Sequence, residues 1–332
     1  MRLINTQTYE LIELFHNIPP YAILSHTWGN EEVTFQEYLL ATGSEAKRHA
    51  HTRQKAGFSK IMGACHRARS DGLKFLWCDT NCIDKSSSAE LSEAINSMYA
   101  WYHDSVVCYA FLADVDSSSG AFARSRWFTR GWTLQELLAP KKVIFFNDGW
   151  RMLGDRAELA KDICEITHIP IGALSNRNKV LNYSVAQRMS WAADRQTSRQ
   201  EDIAYSLLGI FGINMPLLYG EGLRAFIRLQ EEIMKISDDQ SILAWTSRNG
   251  DLHRWTTALA PSPSEFRSCG SIIGNRDMQR EKYHGSNQGI ALKLQLLQTY
   301  RLGFILAGLN CALELRRPNM SQSSEDNIPV YR

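Results

Sequence analysis

Two tryptophans, two arginines and a carboxylate fall in one short stretch, Ser125-Arg126-Trp127-Phe128-Thr129-Arg130-Gly131-Trp132-Thr133-Leu134-Gln135-Glu136-Leu137-Leu138. Trp127 and Trp132 each bring a large apolar face and one N–H donor. Arg126 and Arg130 bring planar forks that match a carboxylate or a phosphate. Glu136 follows Trp132 by four residues, so on a helix both project from the same face. A carboxylate beside aromatic surface is partly desolvated, which raises its pKa and suits it to acid, base or charge-stabilising work. The alternative is a helix glutamate spent on an ion pair with Arg130 or Lys142.

Other polar residues cluster after short apolar runs. Ser25, His26 and Trp28 follow Tyr21-Ala22-Ile23-Leu24, and Asp79 and Asp84 follow Leu73 to Cys78. His26 is a candidate base or ligand contact, or else an orienting hydrogen-bond donor in a packed loop. Ser25 and His26 do not form a nucleophile–base pair by adjacency, because neighbouring strand side chains point to opposite faces. Asp84 is a candidate ligand contact, but its place fits better a turn before the next helix. Cys78, Cys82 and His66 are too sparse for a zinc pattern, and no metal is expected. Cys82 has no placed base that would make it a nucleophile.

The elements that position these residues can be read from periodicity. Runs at 21–25, 73–78, 106–112 and 143–146 are apolar and short, as buried strands are. Phe58 to Ala68 and Leu91 to Tyr102 recur at helical spacing; Asp71-Gly72 ends the first helix, and Ser87 with Glu90 begins the second. Residues 30–56 are expected to be a polar, loop-like insertion carrying the basic cluster Lys47-Arg48-His49. Strand and helix thus alternate as in βαβ units, which gives an α/β fold with a parallel sheet flanked by helices. Ligands of such sheets sit at the carboxyl ends of the strands, so the polar clusters are expected to converge there. Further helices are expected at 157–166, 185–193, 202–211 and 223–236. The organisation expected is an α/β core at 1–150, a helical subdomain at 151–240, a small β-rich region at 241–320 and a disordered tail at 321–332.

Across 332 residues the chain is 44% hydrophobic and 22% charged, with a net charge of +2. That supplies material for a large core and is too balanced for a nucleic-acid or membrane-surface binder. Seven scattered cysteines without a Cys-x-x-Cys pair read as free thiols of a reducing compartment. With no signal-peptide core and no apolar run of membrane-spanning length, a cytoplasmic protein is expected.

Three motifs resemble the fungal HET (heterokaryon incompatibility) domain: Tyr21 to Gly29, Trp77 to Lys85, and Arg130 to Leu137. The run from Arg188 to Ala193, through Glu201 to Tyr205, to Leu218 to Gly222 is similar to the continuation found in many such proteins. Asn81 departs from the apolar residue frequent in the second motif. The resemblance covers about residues 21–310 and extends to the N-terminal region of incompatibility proteins that carry a NACHT module and WD repeats. No phosphate loop or repeat occurs in this sequence, so the effector part is what is expected here. The resemblance implies a death effector of non-self recognition that self-associates and works with a NACHT/STAND-type receptor module or incompatibility partner. A more distant similarity to TIR domains implies a TIR/flavodoxin-like parallel sheet and NAD cleavage, with Glu136 as the catalytic carboxylate. Ser25, His26, Trp28, Asp79, Asp84, Arg130 and Trp132 would then bind substrate, Trp28 by stacking on a nicotinamide or adenine ring and the aspartates through ribose hydroxyls. NAD would be a substrate and not a resident cofactor. The other implied reading is a non-enzymatic, oligomerising death adaptor, with Trp127, Trp132 or the basic loop as its interface.

Overall fold

The computed structural model describes residues 1–43, 49–116, 122–246, 258–274, 284–286, 289–291, 295–297 and 306–313. The basic pair Lys47-Arg48, most of the Ser-rich loop after Asp116 and the 321–332 tail lie outside the described residues. A seven-stranded sheet is built from β1 (Arg2–Asn5), β2 (Leu11–Glu13), β3 (Ala22–His26), β4 (Phe75–Cys78), β5 (Val107–Phe111), β6 (Val143–Phe146) and β7 (Met152–Asp155), in the order β2-β1-β4-β3-β5-β6-β7. The four central strands are mutually parallel, with Leu24 opposite Cys78 on one side and Tyr109 on the other. Every residue of β3, β5 and β6 is buried, as a sheet covered on both faces requires. In chain order the parallel strands lie 2-1-3-4, the flavodoxin-like arrangement, with its switch point between β3 and β5.

The four expected strands are present. The three antiparallel edge strands β1, β2 and β7 were not expected. They have three or four residues each, and Met152 of β7 is exposed, so none carries a long apolar signal.

The helices are α1 (Phe35–Thr42), α2 (Ala50–Gln54), α3 (Ala56–Ser70), α4 (Asp79–Cys82), α5 (Ser88–Asp104), α6 (Thr133–Leu138), α7 (Ala160–Thr167), α8 (Ile171–Ser175), α9 (Val185–Ser190), α10 (Asp202–Tyr205), α11 (Leu208–Phe211) and α12 (Arg224–Ile236). The loop expected at 30–56 is wrong. A reciprocal capping box between Thr34 and Glu37 starts α1, and the apolar face it buries is only Tyr38 and Ala41. The helix expected over 202–211 is two helices. Ser206 and Leu207 close the first with bonds back to Asp202 and Ala204, and Gly212, at φ +68°, ends the second. Gly209 lets α11 lie against α5, because a Cβ there would sit 2.1 Å from Tyr99 Cβ. Three short antiparallel pairs follow: β8 (Ile272–Gly274) with β13 (Cys311–Leu313), β9 (His284–Ser286) with β10 (Gly289–Ala291), and β11 (Gln295–Leu297) with β12 (Leu306–Gly308). The apolar core runs without a break from Leu3 in the sheet through Ile163, Met189 and Leu207 to Phe266. Among the described residues no helix is long and apolar enough to cross a membrane.

α6 is the element that matters most for the site. All six of its residues are buried, including Thr133, Gln135 and Glu136. It packs on α5, β3 and α8, so it has no solvent face on which polar side chains could rest. Arg126–Thr129 before it form a 3-10 turn rather than part of one longer helix.

Candidate active site

The last two residues of β3 serve two different groups. Ser25 Oγ donates to Glu136 of α6 and accepts from Trp127 Nε1 at 2.7 Å. Both hydrogen-bonding roles of the hydroxyl are thereby used, and the Glu136 carboxyl is fixed against the end of the strand. His26 points the other way. Its Nε2 lies 3.0 Å from Asp79 Oδ1 and 3.6 Å from Cys78 Sγ. The other carboxylate oxygen of Asp79 accepts from Trp28 Nε1 at 3.1 Å and from Lys85 Nζ at 3.4 Å. Lys85 Nζ also sits 3.5 Å from the centre of the Trp28 ring, covering one face of it.

These contacts push the two acids apart. Glu136 is 7% exposed, and among the described residues no basic side chain lies within ion-pair distance of it. Burial raises its pKa to about 7, assisted by the Asp79 charge and opposed by the Ser25 hydrogen bond, Arg130 and His26. Burial acts in the same direction on Asp79, but Lys85, His26 and Arg130 outweigh it and hold that carboxyl well below the usual range. For His26, burial and the Lys60 ammonium oppose protonation. The Cys78 sulfur and the Asp79 carboxylate prevail and push it up to about 9, so the ring is an imidazolium at neutral pH. Near pH 7 the strand ends therefore present one half-ionised carboxyl beside a fixed carboxylate–imidazolium pair.

Glu136, His26 and Asp79 open on a cavity of about 430 Å³. Its other wall comes from the second half of the chain. Gly131 N donates to Gln196 O at 2.8 Å and Gln196 N to Thr129 O at 2.7 Å, which docks the segment 196–199 against the entry to α6. Asp202 and Tyr219 close the far side, joined by a hydrogen bond of 2.9 Å from the tyrosine hydroxyl. Glu201 Oε1 accepts from Gly220 N at 2.7 Å and Gly222 N at 3.0 Å, which holds the turn that carries Tyr219. Gly220 is at φ +106° and Gly222 at φ +59°, which explains their residue type.

Of the residues singled out in the sequence, Glu136, His26, Trp28, Asp79, Arg130 and Trp132 line this cavity. Ser25 stands behind Glu136 and reaches the space only through it. Asp84 is not brought there. Its Oδ1 accepts from Gln36 Nε2 at 2.7 Å and Ser86 N at 3.0 Å in the turn before α5, the turn position that its place in the sequence favours. Lys85, Arg199, Asp202 and Tyr219 escaped sequence reading. The closely spaced Gly220 and Gly222 are the signal the sequence carries for the turn that presents Tyr219.

His26, Cys78 and Asp79 have ligand atoms within 4.8 Å of one another, the only such metal-competent group among the described residues. The surroundings oppose a divalent cation. Asp79 already carries Lys85 and Trp28, the Cys78 sulfur lies 3.1 Å from Thr80 Oγ1, and the charges of Lys60 and Arg130 act on the same groups. His66, considered with Cys78 and Cys82 for zinc, instead bonds Arg69. Burial drives the Cys82 thiol well up, which disfavours a nucleophilic role.

Two family models match the chain: the heterokaryon incompatibility protein (HET) model over residues 21–125, and a domain of unknown function (DUF8212) over residues 224–304. The chain is 46% identical over 231 residues to the vegetative incompatibility protein HET-E-1 of Podospora anserina. That alignment takes in 66% of this chain and spans 16% of the length of the relative. No solved structure matches.

Proposed function

We propose that the chain, whose residues 21–125 match the heterokaryon incompatibility (HET) model, is a cell-death effector of non-self recognition whose cavity hydrolyses the glycosidic bond of NAD. The observation that carries this reading is Glu136: a buried carboxyl with no basic partner among the described residues, raised to about 7, and open to a cavity large enough for part of a dinucleotide. The likeness to TIR domains is an analogy of position, since Glu136 lies on the helix that follows the third parallel strand.

In the proposed reaction the C1′–N bond to nicotinamide breaks, and its electron pair passes to the pyridinium nitrogen. The leaving group departs neutral, so it needs no proton. What the site must supply is negative charge beside an oxocarbenium-like ribose and a base for water. Ionised Glu136 does both. It faces the cationic centre, then takes one proton as the water oxygen bonds to C1′, giving ADP-ribose, nicotinamide and H⁺. Asp79, kept ionised, is suited to ribose hydroxyls, while Trp28 and Trp132 offer ring surface. Ser25 and Trp127 position Glu136.

Triggering by self-association, coupling to a NACHT/STAND-type receptor module and action in the cytoplasm belong to the same proposal. The adaptor reading takes Trp127, Trp132 or the basic loop as its interface; Trp127 is fully buried and Trp132 faces the cavity, and Lys47-Arg48 of the basic loop lie outside the described residues. The test is to incubate concentrated purified chain with NAD and follow nicotinamide and ADP-ribose by chromatography, with toxicity on expression scored in parallel. Wild type is expected to release both products and to kill, and Glu136→Ala to do neither while still folding. Toxicity that depends on Glu136 without any NAD turnover by wild type would sink the enzymatic reading.

A further inference from the structure

We infer that the cavity contains a diphosphate clamp made by Arg126, Arg130 and Arg199, so that its ligand carries a pyrophosphate and is not a free nucleoside. This rests on the reading of the cavity as a nucleotide site. Among the described residues, the carboxylates lining the cavity are Asp79, Glu136 and Asp202. Each is committed elsewhere: Asp79 to His26, Trp28 and Lys85, Glu136 to Ser25, and Asp202 to Tyr219. None of them lies within ion-pair distance of the three guanidiniums.

Arg130 Nε is buried and has no hydrogen-bond partner, although nearly all buried donors in a folded chain are paired. The charge of this side chain is felt by both Asp79 and Glu136, so it stands beside the reacting end of the cavity. Arg199 comes from the segment that pairs with the entry to α6, and its guanidinium lies 4.4 Å from the centre of the Tyr219 ring. That contact anchors the guanidinium over the ring, and among the described residues no ion pair takes up its N–H groups. Arg126 is exposed at the rim, its backbone fixed by a 2.7 Å bond from its N–H to Asp114. The other cations of the lining are already taken, Lys85 by Asp79 and Trp28 and the His26 imidazolium by Asp79. Three guanidiniums that line one cavity, none of them in an ion pair among the described residues, suit an anion with two linked phosphates, because each phosphate can accept two parallel N–H bonds. Arg126 and Arg130 come from the turn before α6 and Arg199 from the segment docked by Gly131 and Gln196, so the clamp exists only where the two halves of the chain meet.

The test is calorimetric titration of the full chain with ADP, adenosine and inorganic pyrophosphate. Wild type is expected to bind ADP at least about tenfold more tightly than adenosine, with affinity falling as salt rises, and pyrophosphate is expected to compete. Arg130→Ala and Arg199→Ala should each lose about tenfold for ADP and nothing for adenosine, and Arg130→Lys should recover only part of the loss. Arg199 is exposed, so its variant should melt as wild type and keeps the test valid if Arg130→Ala unfolds. Equal affinity for ADP and adenosine, or an Arg199→Ala chain that binds ADP unchanged, overturns the clamp. ADP binding that depends on these arginines in a chain that never cleaves NAD overturns the enzymatic reading and leaves the clamp standing. NAD cleavage with an unchanged KM in Arg199→Ala does the reverse.

Discussion

Glu136→Gln is expected to lose NAD turnover by at least about a hundredfold and yet to be more stable than wild type at pH 8. The two effects have one cause. Burial raises the Glu136 pKa from 4.5 to about 7, so the fold holds its proton more tightly than the unfolded chain does. Between these values the native state binds more protons than the unfolded state, and stability falls as pH rises. The protonated carboxyl contributes fully below about pH 4.5, and that contribution is gone once pH has passed through about 7. At about 1.4 kcal/mol per unit, the loss is roughly 3 kcal/mol. Glutamine keeps the shape and can still accept the Ser25 hydrogen bond, but it has no charge to desolvate. Urea unfolding at pH 5 and pH 8 should show wild type weakening relative to the variant between the two, and turnover by wild type should rise over the same interval. His26, raised to about 9, stabilises fully below about pH 6.5 and fades as pH passes 9, in both proteins alike. Parallel stability curves for wild type and Glu136→Gln would mean that Glu136 is not held in this desolvated state.

The sheet centre and the position of the site were legible because both rest on strong local signals. β3, β5 and β6 are continuous apolar runs, and a polar residue at the end of such a strand has few places to go other than the crevice. Glu136 was legible through its spacing from Trp132. The wall formed by Gln196–Arg199, Asp202 and Tyr219 was not. These residues reach the cavity by a backbone pairing between Thr129–Gly131 and Gln196, and main-chain hydrogen bonds leave no mark on residue type. Trp127 illustrates a further limit. Its composition suggested an exposed binding surface, but its ring packs edge-on against Phe128 and Phe145 while its one N–H orients Ser25. Asp84 and Asp79 are the same residue type at the two ends of one motif. Only the helical turn of α4, which starts at Asp79, places one in the cavity and leaves the other in a surface turn.

Gly131→Ala should pull the two halves of the site apart. Gly131 is not in a left-handed conformation, so alanine meets no backbone strain, and the obstacle is close approach. A Cβ at this position would lie 2.5 Å from Thr197 Cγ2 and 3.1 Å from Ser206 Oγ. Thr197 cannot simply rotate away, because its hydroxyl bonds Arg199 O at 2.6 Å. The wall must therefore retreat, stretching the Gly131–Gln196 bond and carrying Arg199 outward. Overpacking of this kind costs about 1–3 kcal/mol, and the displaced guanidinium should weaken nucleotide affinity by about tenfold. Thr197→Ala removes the clashing methyl, so the double variant is expected to regain most of the stability and affinity lost by the single one. Melting curves and ADP titrations of the four proteins measure the coupling. A Gly131→Ala chain that melts and binds as wild type would show that the second half does not press on the α6 entry. A double variant no better than the single one would place the damage at Ser206, and the cavity wall would then owe its position to α10 rather than to the pairing with Gln196.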